Sequence, residues 1–328
     1  MKIINQLQTA KLTGRGGAEF PVATKWLSVM ENKVKNFKQP VYIVCNATEG
    51  EPGIEKDKYI LRYHPKEVVG GIKIAMDTLG ADKGYIFIKR KYLNSVKQRL
   101  SPFIRGAAIH FFPDDGGYLC GEETTLLQYM EGKRAEPRVK PPYPTESGFN
   151  GCPTLVNNVE TFYYIYKISK KDYHDTRFYS IHGDVKNPGV FELPINWTIG
   201  EVLAKTKNAP GFEFFVQVGG GAAGDIFLSD EIDAPLKGAG SVIVYNLKRT
   251  NLRKLMNRWI DFFFQETCGK CAPCREGLYR LREELRSEEP NWLMLRAILE
   301  TMRDSSFCPL GKSVYAPFFS LMAKIGVK

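Results

Sequence analysis

The chain has 328 residues, 43% of them hydrophobic and 25% charged, a balance typical of a globular protein long enough to bury more than one core. It has no apolar run of about 18 residues and no apolar segment near its start, so neither a membrane span nor a secretory signal is predicted, and we expect a cytoplasmic protein. The formal net charge of +10 would suit a nucleic-acid-binding protein, but the basic residues are spread along the chain without interleaved aromatics, so no nucleic-acid partner is predicted.

Strand-like and helix-like segments alternate through the first half of the chain, and this alternation predicts an α/β fold. β-branched and aromatic residues mark the strands, whereas apolar residues at helical spacing mark the helices. The predicted strands are 41–45, 84–89 and 108–112, and the predicted helices are 66–79, 93–100, 122–131 and 159–169. The loops are rich in glycine and proline, most of all over 137–153, and such loops commonly bind ligands.

Two different patterns follow in the second half of the chain. Short strands dominate the first pattern and helices the second, which predicts three domains over 1–171, 172–247 and 248–328. The middle region has predicted strands at 177–182, 190–193, 213–217 and 241–245 and one predicted helix at 199–204. The last region has predicted helices at 252–264, 275–285, 292–302 and 315–325, which would form a small bundle.

Four of the seven cysteines form the strongest local motif. Three lie in a C-x2-C-x2-C run and the fourth follows much later, an arrangement typical of a [4Fe–4S] cluster. Zinc and a plain structural site are the alternatives, although zinc sites more often combine two separate C-x2-C pairs or include histidine. The candidate metal ligands are Cys268, Cys271, Cys274 and Cys308.

The other cysteines do not suit a secreted disulfide framework, because the total is odd and the spacing is uneven. They are Cys45, Cys120 and Cys152, each among apolar or glycine-rich neighbours. We expect them to be small buried residues of a reduced chain.

Three glycine-rich segments are candidates for binding a nucleotide or another anion. The segment 14–17 is either an anion cradle, with positive charge added by Arg15 and Lys25, or an ordinary turn, and it is not the dinucleotide fingerprint because no strand precedes it. The segment 46–53 follows a predicted strand, at the edge where open α/β sheets bind ligands. The segment 116–124 opens a helix with two acids, which either contact a ligand or complement the helix dipole.

Taken together, these segments closely resemble the family of the NADH-binding flavoprotein subunit of respiratory complex I, which NAD-reducing hydrogenases and NAD-dependent formate dehydrogenases share. The resemblance covers nearly the whole chain, and the motifs occur in the family's order. The matching stretches are GRGGAEFPVATKW (14–26), CNATEGEPGIEKD (45–57), YLCGEETTLLQYMEGKRAEPRVKPPYP (118–144), GCPTLVNNVETF (151–162), ETCGKCAPCREG (266–277) and FCPLG (307–311).

The resemblance implies an α/β fold with a modified Rossmann-like domain for FMN and NAD(H), followed by an SLBB domain of β-grasp type and a C-terminal helical bundle with a [4Fe–4S] cluster. It also implies which residues surround the two nucleotides. The residues implied to surround FMN are Gly14, Gly16, Gly17, Lys25, Asn46, Glu49, Tyr118, Gly121, Glu122, Asn157 and Asn158. The residues implied to contact the nicotinamide nucleotide are Phe20, Glu51, Glu123, Lys140 and Tyr143.

The sequence departs from the family pattern at several positions. Glu19 stands where the family usually has glycine, Thr48 where it has aspartate, and Gly50 where it has serine or threonine. Ser28 lies where an aromatic residue usually helps to enclose adenine, and the acidic pair 114–115 replaces part of a Gly-Ala pair. FMN binding tolerates these changes more readily than nucleotide binding does.

The implied function is that of an NADH dehydrogenase (diaphorase) subunit of a multi-subunit redox complex, which passes hydride from NADH to FMN and single electrons to a [4Fe–4S] cluster. A flavin suits this position because it exchanges electrons in pairs and singly. The implied partners are a thioredoxin-like [2Fe–2S] subunit and further iron–sulfur subunits. The alternative is a non-enzymatic iron–sulfur and flavin electron relay that has lost productive nucleotide binding, which Glu19, Ser28 and Thr48 would favour.

Overall fold

A computed structural model describes residues 2–35, 37–236 and 238–326. The chain forms two compact units, the first comprising Met1–Gly50 and Glu55–Phe178 and the second comprising Glu51–Ile54 and Tyr179–Lys328. The short segment Glu51–Ile54 therefore belongs to the second unit, although the chain on both sides of it belongs to the first. Across these described ranges, no helix is both long enough and apolar enough to cross a bilayer.

A four-stranded parallel sheet forms the centre of the first unit, which confirms the predicted α/β class. Its strands are β1 (Tyr42–Ala47), β2 (Lys83–Lys89), β3 (Ile109–Asp114) and β4 (Thr154–Asn158), in the order β3-β2-β1-β4. The strand order reverses between β1 and β4. The crevice outside the carboxyl ends of two such strands is the usual ligand site of an open α/β sheet.

Helices cover both faces of this sheet. They are α1 (Lys2–Thr9), α2 (Val22–Lys35), α3 (Lys56–Tyr63), α4 (Pro65–Leu79), α5 (Arg90–Ile104), α6 (Glu123–Met130), α7 (Pro144–Ser147) and α8 (Val159–Ser169). Gly84 of β2 faces Ile72 of α4, whereas Phe87, an odd number of residues further, packs with α6. Gly71 lets α4 pack closely on α8, because a Cβ there would lie 2.0 Å from the carbonyl oxygen of Phe162.

The predicted elements of this unit are present, with boundaries displaced by a few residues. The prediction omits β4 and the helices α1, α2, α3 and α7. Strand β4 lies in a stretch that resembles a loop, because its five residues end in two asparagines, which are poor strand formers. Its pairing with β1 outweighs that local preference.

A five-stranded mixed sheet forms part of the second unit. Its strands are β5 (Thr176–Gly183), β6 (Gly189–Pro194), β7 (Phe214–Val218), β8 (Asp225–Leu228) and β9 (Ser241–Asn246), in the order β6-β5-β9-β7-β8. Strands β5 and β9 run parallel, and β7 runs antiparallel to β8 and β9. Helix α9 (Ile199–Lys205) begins with a capping box of Thr198 and Glu201 and packs its apolar face into the core of this sheet. The prediction omits only β8.

The rest of the second unit is helical, as predicted. Its helices are α10 (Leu252–Glu266), α11 (Ala272–Arg286), α12 (Trp292–Ser305), α13 (Pro309–Ser313) and α14 (Tyr315–Ile325), of which the prediction omits α13. Asp261 of α10 pairs with Arg282 and Arg286 of α11 at 2.8 Å. The β-rich and helical regions lie in one compact unit, and the main division of the chain follows residue 178 rather than 171. Division into three domains stays a prediction.

Candidate functional site

The carboxyl ends of β1 and β4 bring together the asparagines implied to surround FMN. Asn46 lies opposite Asn158 in the parallel register, and Asn157 precedes it on β4. Asn46 donates from Nδ2 to the carbonyl oxygen of Gly121 at 2.9 Å. Its Oδ1 accepts the hydroxyl of Thr48 at 2.8 Å. Asn46 therefore joins the end of β1 to the third glycine-rich segment, and Thr48 supports it by donating a hydrogen bond.

The first glycine-rich segment forms a closed loop beside Asn158. The backbone N–H of Gly14 donates to the carbonyl oxygen of Phe20 at 2.9 Å, which ties the two ends of the loop. A Cβ on Gly16 would lie 3.3 Å from the Cβ of Asn158, closer than side chains usually pack. Gly17 has a φ of +106°, which glycine adopts without strain. The loop thus brings backbone N–H groups close to the crevice, as an anion cradle requires.

Arg15 does not add its charge to this loop, so that part of the sequence interpretation is wrong. Its side chain is buried, and its guanidinium donates to the hydroxyl of Tyr173 at 3.2 Å and lies 5.4 Å from the ring centroid of Tyr164. The backbone N–H of Arg15 donates to the hydroxyl of Thr161 at 3.0 Å. These contacts tie the loop to α8 and the segment after it.

Glu19 has a φ of +52°, a left-handed conformation that explains the glycine usual in the family. Its carboxylate lies 3.8 Å from the guanidinium of the buried Arg177. The adjacent Phe20 is 53% exposed, an unusual fraction for a phenylalanine beside a candidate site. An exposed aromatic ring of this kind suits stacking against a planar ligand.

Ion pairs connect the lysines and acids implied to bind the two nucleotides. Glu123 bridges two lysines, since its Oε2 lies 2.6 Å from Nζ of Lys25 and its Oε1 lies 3.5 Å from Nζ of Lys140. Lys140 also pairs with Glu122 at 2.8 Å, and Lys25 also donates to the carbonyl oxygen of Val156 at 2.8 Å. The structure therefore gathers these four charged candidates into one network.

Glu122 also caps helix α6, as its Oε2 accepts the backbone N–H groups of Thr124 and Thr125. Burial alone would raise the pKa of Glu122, but hydrogen bonds from Lys140 and Thr124 lower that pKa below its ordinary value. Burial alone would lower the pKa of Lys140, but Glu122 and Glu123 more than offset this and raise that pKa. Both side chains are thus held in their charged forms at neutral pH.

A buried cluster of charges contains Glu49 and Asn158 together with three residues that the sequence analysis omits. Nζ of Lys56 lies 2.8 Å from Oδ1 of Asp57 and 2.9 Å from Oε2 of Glu160. Oδ2 of Asp57 accepts Nδ2 of Asn158 at 2.6 Å. The carboxylate of Glu49 accepts the backbone N–H of Asp57 at 3.0 Å. Lys56 and Asp57 end the 45–57 stretch, which is the only sequence signal for them, and nothing in the sequence marks Glu160.

One lysine faces three carboxyl groups in this cluster, and the pKa values respond. Burial and the neighbouring Asp57 raise the pKa of Glu49 to about 8. Burial also raises the pKa of Asp57, although Lys56 offsets part of that effect. Burial alone would lower the pKa of Lys56, but Asp57, Glu160 and Glu49 more than offset it, so the pKa of Lys56 is raised.

Tyr118 is held at the crevice by a second buried ion pair. Nζ of Lys89, at the end of β2, lies 2.9 Å from Oδ2 of Asp114, at the end of β3, and donates to the carbonyl oxygen of Gly117 at 2.5 Å. A Cβ on Gly50 would lie 3.4 Å from Cα of Tyr118. Two departures from the family pattern, Gly50 and Asp114, thus form part of the support of this segment.

Tyr143 is the second exposed aromatic residue of the candidate set, at 51% exposure. It precedes α7, and its backbone N–H donates to the carboxylate of Glu146. Ser28 of α2, which replaces the usual aromatic residue, donates to the hydroxyl of Thr145 at 2.8 Å. Ser28 therefore anchors the segment that carries Tyr143.

Glu51 belongs to the second unit, unlike the other nucleotide candidates. It is buried, and its Oε1 accepts the backbone N–H groups of Ala222 at 3.2 Å and Ala223 at 2.8 Å. The glycine turn that carries these two alanines leaves no room for a side chain at Gly220, because a Cβ there would lie 1.9 Å from the carboxylate. Contact between Glu51 and ribose hydroxyls stays a prediction.

The first unit has the groups that FMN needs. Its phosphate requires a cation and N–H donors, which Lys25 and the 14–17 backbone offer. Its ribityl chain and ring require polar partners, which Asn46 and Asn158 offer at the carboxyl edge of the sheet. The space that a side chain on Gly16 would fill fits a ligand in close contact with the backbone.

The four candidate metal ligands are free thiols in the helical part of the second unit. Cys271 directly precedes α11, and Cys308 directly precedes α13. Cys274 lies 3.3 Å from the hydroxyl of Thr267, and the sulfur of Cys308 accepts backbone N–H groups from Leu310 and Gly311. A Cβ on Gly311 would lie 3.1 Å from that of Cys274, so this glycine lets the two cysteine segments approach each other.

These thiols fit an iron–sulfur cluster. Burial and the three other cysteines raise the pKa of Cys274 to about 12, although Thr267 lowers it in part, and burial raises the pKa of Cys308. Four mutually close thiols with N–H donors to sulfur are the donor set that such a cluster uses. Within the described ranges, no three histidine, cysteine or carboxylate side chains converge on the point that a single metal ion would occupy.

The isolated cysteines follow the prediction in two of three cases. Cys45 and Cys120 are buried in the first unit. Cys152 is only partly buried, because it lies in the turn before β4 rather than in the core.

Two family descriptions match this chain. Residues 7–167 match the Nuo51 FMN-binding domain, and residues 254–325 match the NADH-ubiquinone oxidoreductase-F iron–sulfur binding region. The chain is 34% identical to an NADH-quinone oxidoreductase subunit of Aquifex aeolicus, over 94% of this chain and 81% of the relative. It is 35% identical to the NADH-quinone oxidoreductase subunit of the same name in Escherichia coli, over 84% of this chain and 70% of the relative.

A solved structure is also similar to this chain. It is a crystal structure of an NAD+-reducing [NiFe]-hydrogenase in the H2-reduced state, with a TM-score of 0.91 and 30% sequence identity. The similarity covers 99% of this chain and 61% of the hydrogenase chain.

Proposed function

The chain belongs to the NADH-quinone oxidoreductase family of FMN-binding and iron–sulfur subunits, and from that premise we propose that it is the NADH dehydrogenase (diaphorase) subunit of a multi-subunit redox complex. The family matches confirm the predicted family and its cofactors, FMN and an iron–sulfur cluster. One observation carries the proposal: a single chain contains both a crevice that suits FMN at the carboxyl edge of a parallel sheet and a four-cysteine site that suits a cluster.

The residue assignments within this function are proposals. They are supported by the asparagine pair at the switch point of the sheet, by the glycine loop beside Asn158 and by the network around Glu123. FMN contacts are assigned to Gly14, Gly16, Gly17, Lys25, Asn46, Glu49, Tyr118, Gly121, Glu122, Asn157 and Asn158. Nucleotide contacts are assigned to Phe20, Glu51, Glu123, Lys140 and Tyr143, and cluster ligands to Cys268, Cys271, Cys274 and Cys308.

FMN, when bound, supplies the chemistry that side chains lack, because it accepts electrons as a pair and releases them singly to a cluster. The chain's own residues bind and orient the reactants. Lys25 and the 14–17 backbone neutralise the phosphate, while Asn46 and Asn158 fix the flavin by hydrogen bonds. Phe20 and Tyr143 offer exposed rings to the adenine. No side chain is assigned as a general acid or base, since hydride transfer does not need one.

NADH is the proposed nucleotide rather than NADPH. Glu51 and Glu123 make the nucleotide region acidic, and carboxylates accept hydrogen bonds from a 2′-hydroxyl but repel a 2′-phosphate. Lys140 reduces this repulsion only in part, because it already pairs with Glu122 and Glu123.

The proposed partners are a thioredoxin-like [2Fe–2S] subunit and further iron–sulfur subunits of the complex. The strand order of the second unit, with β5 and β9 parallel at its centre and α9 on the sheet, supports the SLBB assignment as a proposal. Cysteine usage supports a cytoplasmic location as a proposal, because the described cysteines are all free thiols.

An anaerobic reduction experiment tests the function. The purified holoprotein is mixed with NADH or NADPH, and flavin bleaching is followed together with the signal of a reduced cluster. We expect NADH to reduce flavin and cluster, with higher kcat/KM than NADPH for an artificial acceptor. If neither nucleotide reduces the flavin while dithionite reduces both centres, the electron-relay alternative is correct and the dehydrogenase proposal is wrong.

A further inference from the structure

Asn158 is held by two partners that can act in only one way each. Nζ of Lys56 lies 3.3 Å from Oδ1 of Asn158, and a lysine can only donate. Oδ2 of Asp57 lies 2.6 Å from Nδ2 of Asn158, and a carboxylate can only accept. The backbone N–H of Glu160 also donates to Oδ1, at 3.0 Å. The orientation of this amide is therefore determined by its surroundings.

The amide nitrogen of Asn158 has two hydrogens, and Asp57 takes one of them. Within the described ranges, no other acceptor lies at hydrogen-bond distance of this nitrogen. Asn158 is only half buried, ends β4 at the switch point of the sheet and faces Gly16 of the glycine loop. Its second N–H is thus available in the crevice assigned to FMN.

We propose that Lys56 and Asp57 are positioning residues that lock Asn158 as a hydrogen-bond donor toward the flavin. The proposal rests on the proposed function, because it needs FMN in this crevice. The lock is rigid because both partners are buried and Lys56 is itself held by Glu160 at 2.9 Å. The acceptor on the ligand would be a carbonyl oxygen or ring nitrogen of the flavin or a hydroxyl of its ribityl chain, and riboflavin has all of these groups.

The decisive variant exchanges the two partners, Asp57→Asn together with Asn158→Asp. It conserves the net charge, a carboxylate beside Lys56, a hydrogen bond between positions 57 and 158 and a good helix cap at position 158. It leaves only acceptor oxygens at position 158. Flavin-free protein is titrated with FMN and with riboflavin, and its thermal midpoint without flavin is measured.

We expect the exchange variant to unfold within a few degrees of the parent but to bind FMN and riboflavin about tenfold more weakly, which is the size of one hydrogen bond of this kind. The variant Asp57→Asn alone should lose flavin affinity to a similar extent. A variant of an exposed lysine, Lys66→Met, is the control and should bind both flavins like the parent. If Asp57→Asn fails to fold, the exchange variant still tests the proposal.

The outcomes separate this proposal from the proposed function. If the exchange variant binds both flavins as tightly as the parent, Lys56 and Asp57 have a structural role only, and the positioning proposal is overturned while the function stands. If the parent binds neither FMN nor riboflavin, both proposals fail. The variant Lys25→Met, which should weaken FMN but not riboflavin, shows separately whether the phosphate lies where it is assigned.

Discussion

The candidate flavin residues of the first unit are already tied together by hydrogen bonds and ion pairs, whereas the four cysteines of the second unit are free thiols. In the first unit, Asn46, Glu122 and Asn158 each have protein partners that fix their orientation. In the second unit, burial raises the pKa of Cys274 and Cys308, so these thiols keep their protons until a metal displaces them. The protein thus orders the flavin site by itself, while iron has to order the cysteine site.

The largest effect should come from removing one cysteine, which tests the dependence of the second unit on iron. We expect Cys308→Ser to lower the iron content well below the parent's, which should be about four per chain for an intact [4Fe–4S] cluster. The helical region should become less stable, because metal-binding free energy is lost from the folded state. Iron analysis and the cubane signal of reduced, anaerobically purified protein measure this effect.

The control for this variant is Cys152→Ser, which changes a partly buried cysteine of the first unit and should leave iron and FMN unchanged. FMN content should also persist in Cys308→Ser. Stoichiometric zinc without iron in the parent would contradict the cluster assignment. Loss of FMN together with iron would contradict the contrast between the two sites.

A reversal of charge in the flavin site should have the next largest effect. Lys25→Glu removes the cation assigned to the phosphate and places two carboxylates together, because Lys25 lies 2.6 Å from Glu123. We expect FMN to bind about 100-fold more weakly, while the protein still folds. Fluorescence titration with FMN measures this, and Lys35→Glu on the same helix is the control. Unchanged FMN affinity would show that the phosphate lies elsewhere.

The buried carboxyl groups predict a pH dependence of stability in the first unit. The pKa of Glu49 is raised from 4.5 to about 8 on folding, beside Lys56 and Asp57. Because the folded state binds this proton more tightly than the unfolded chain, its contribution is full below pH 4.5 and is lost as the pH rises through about 8. Glu49→Gln should therefore flatten the decline of the unfolding free energy, by at most about 1 kcal/mol per pH unit.

Denaturant unfolding of flavin-free protein at several pH values between 5 and 8 measures this effect. Glu146→Gln, in the same unit but outside the buried cluster, is the control and should keep the parent's pH profile. An identical decline in Glu49→Gln and in the parent would show that Glu49 ionises normally.

The smallest effect is expected at Glu19. Glycine at this position relieves a left-handed backbone conformation, which stabilises by about 1 kcal/mol, and removes a long ion pair with Arg177 that contributes little because Glu19 is half exposed. We expect Glu19→Gly to be neutral to slightly more stable and to change the ratio of kcat/KM for NADH and NADPH modestly. Thermal unfolding and steady-state kinetics check both expectations. A large loss of stability would show that the Arg177 pair dominates.

Local patterns predict most of the chain's elements and its chemical classes. β-branched runs mark β1 and β2 and apolar periodicity marks α8 and α12, because each of these segments buries one face and has the matching period. The cysteine spacing points to the cluster because consecutive ligands of one cubane face have to be close in sequence. Strand β4 and helix α13 are not predicted in this way, because their neighbours, and not their own residues, stabilise them.

The sequence by itself determined the class of fold, the cofactor family and which segments carry the candidate residues, since these depend on spacing within short stretches. Only the tertiary structure decided how those segments meet. It turns Arg15 away from the loop, joins Glu123 to both Lys25 and Lys140, and buries Lys56 against Asp57 and Glu160. Hydrogen bonds and ion pairs act over a few ångströms, and the partners here are up to 146 residues apart along the chain, so no local pattern contains them.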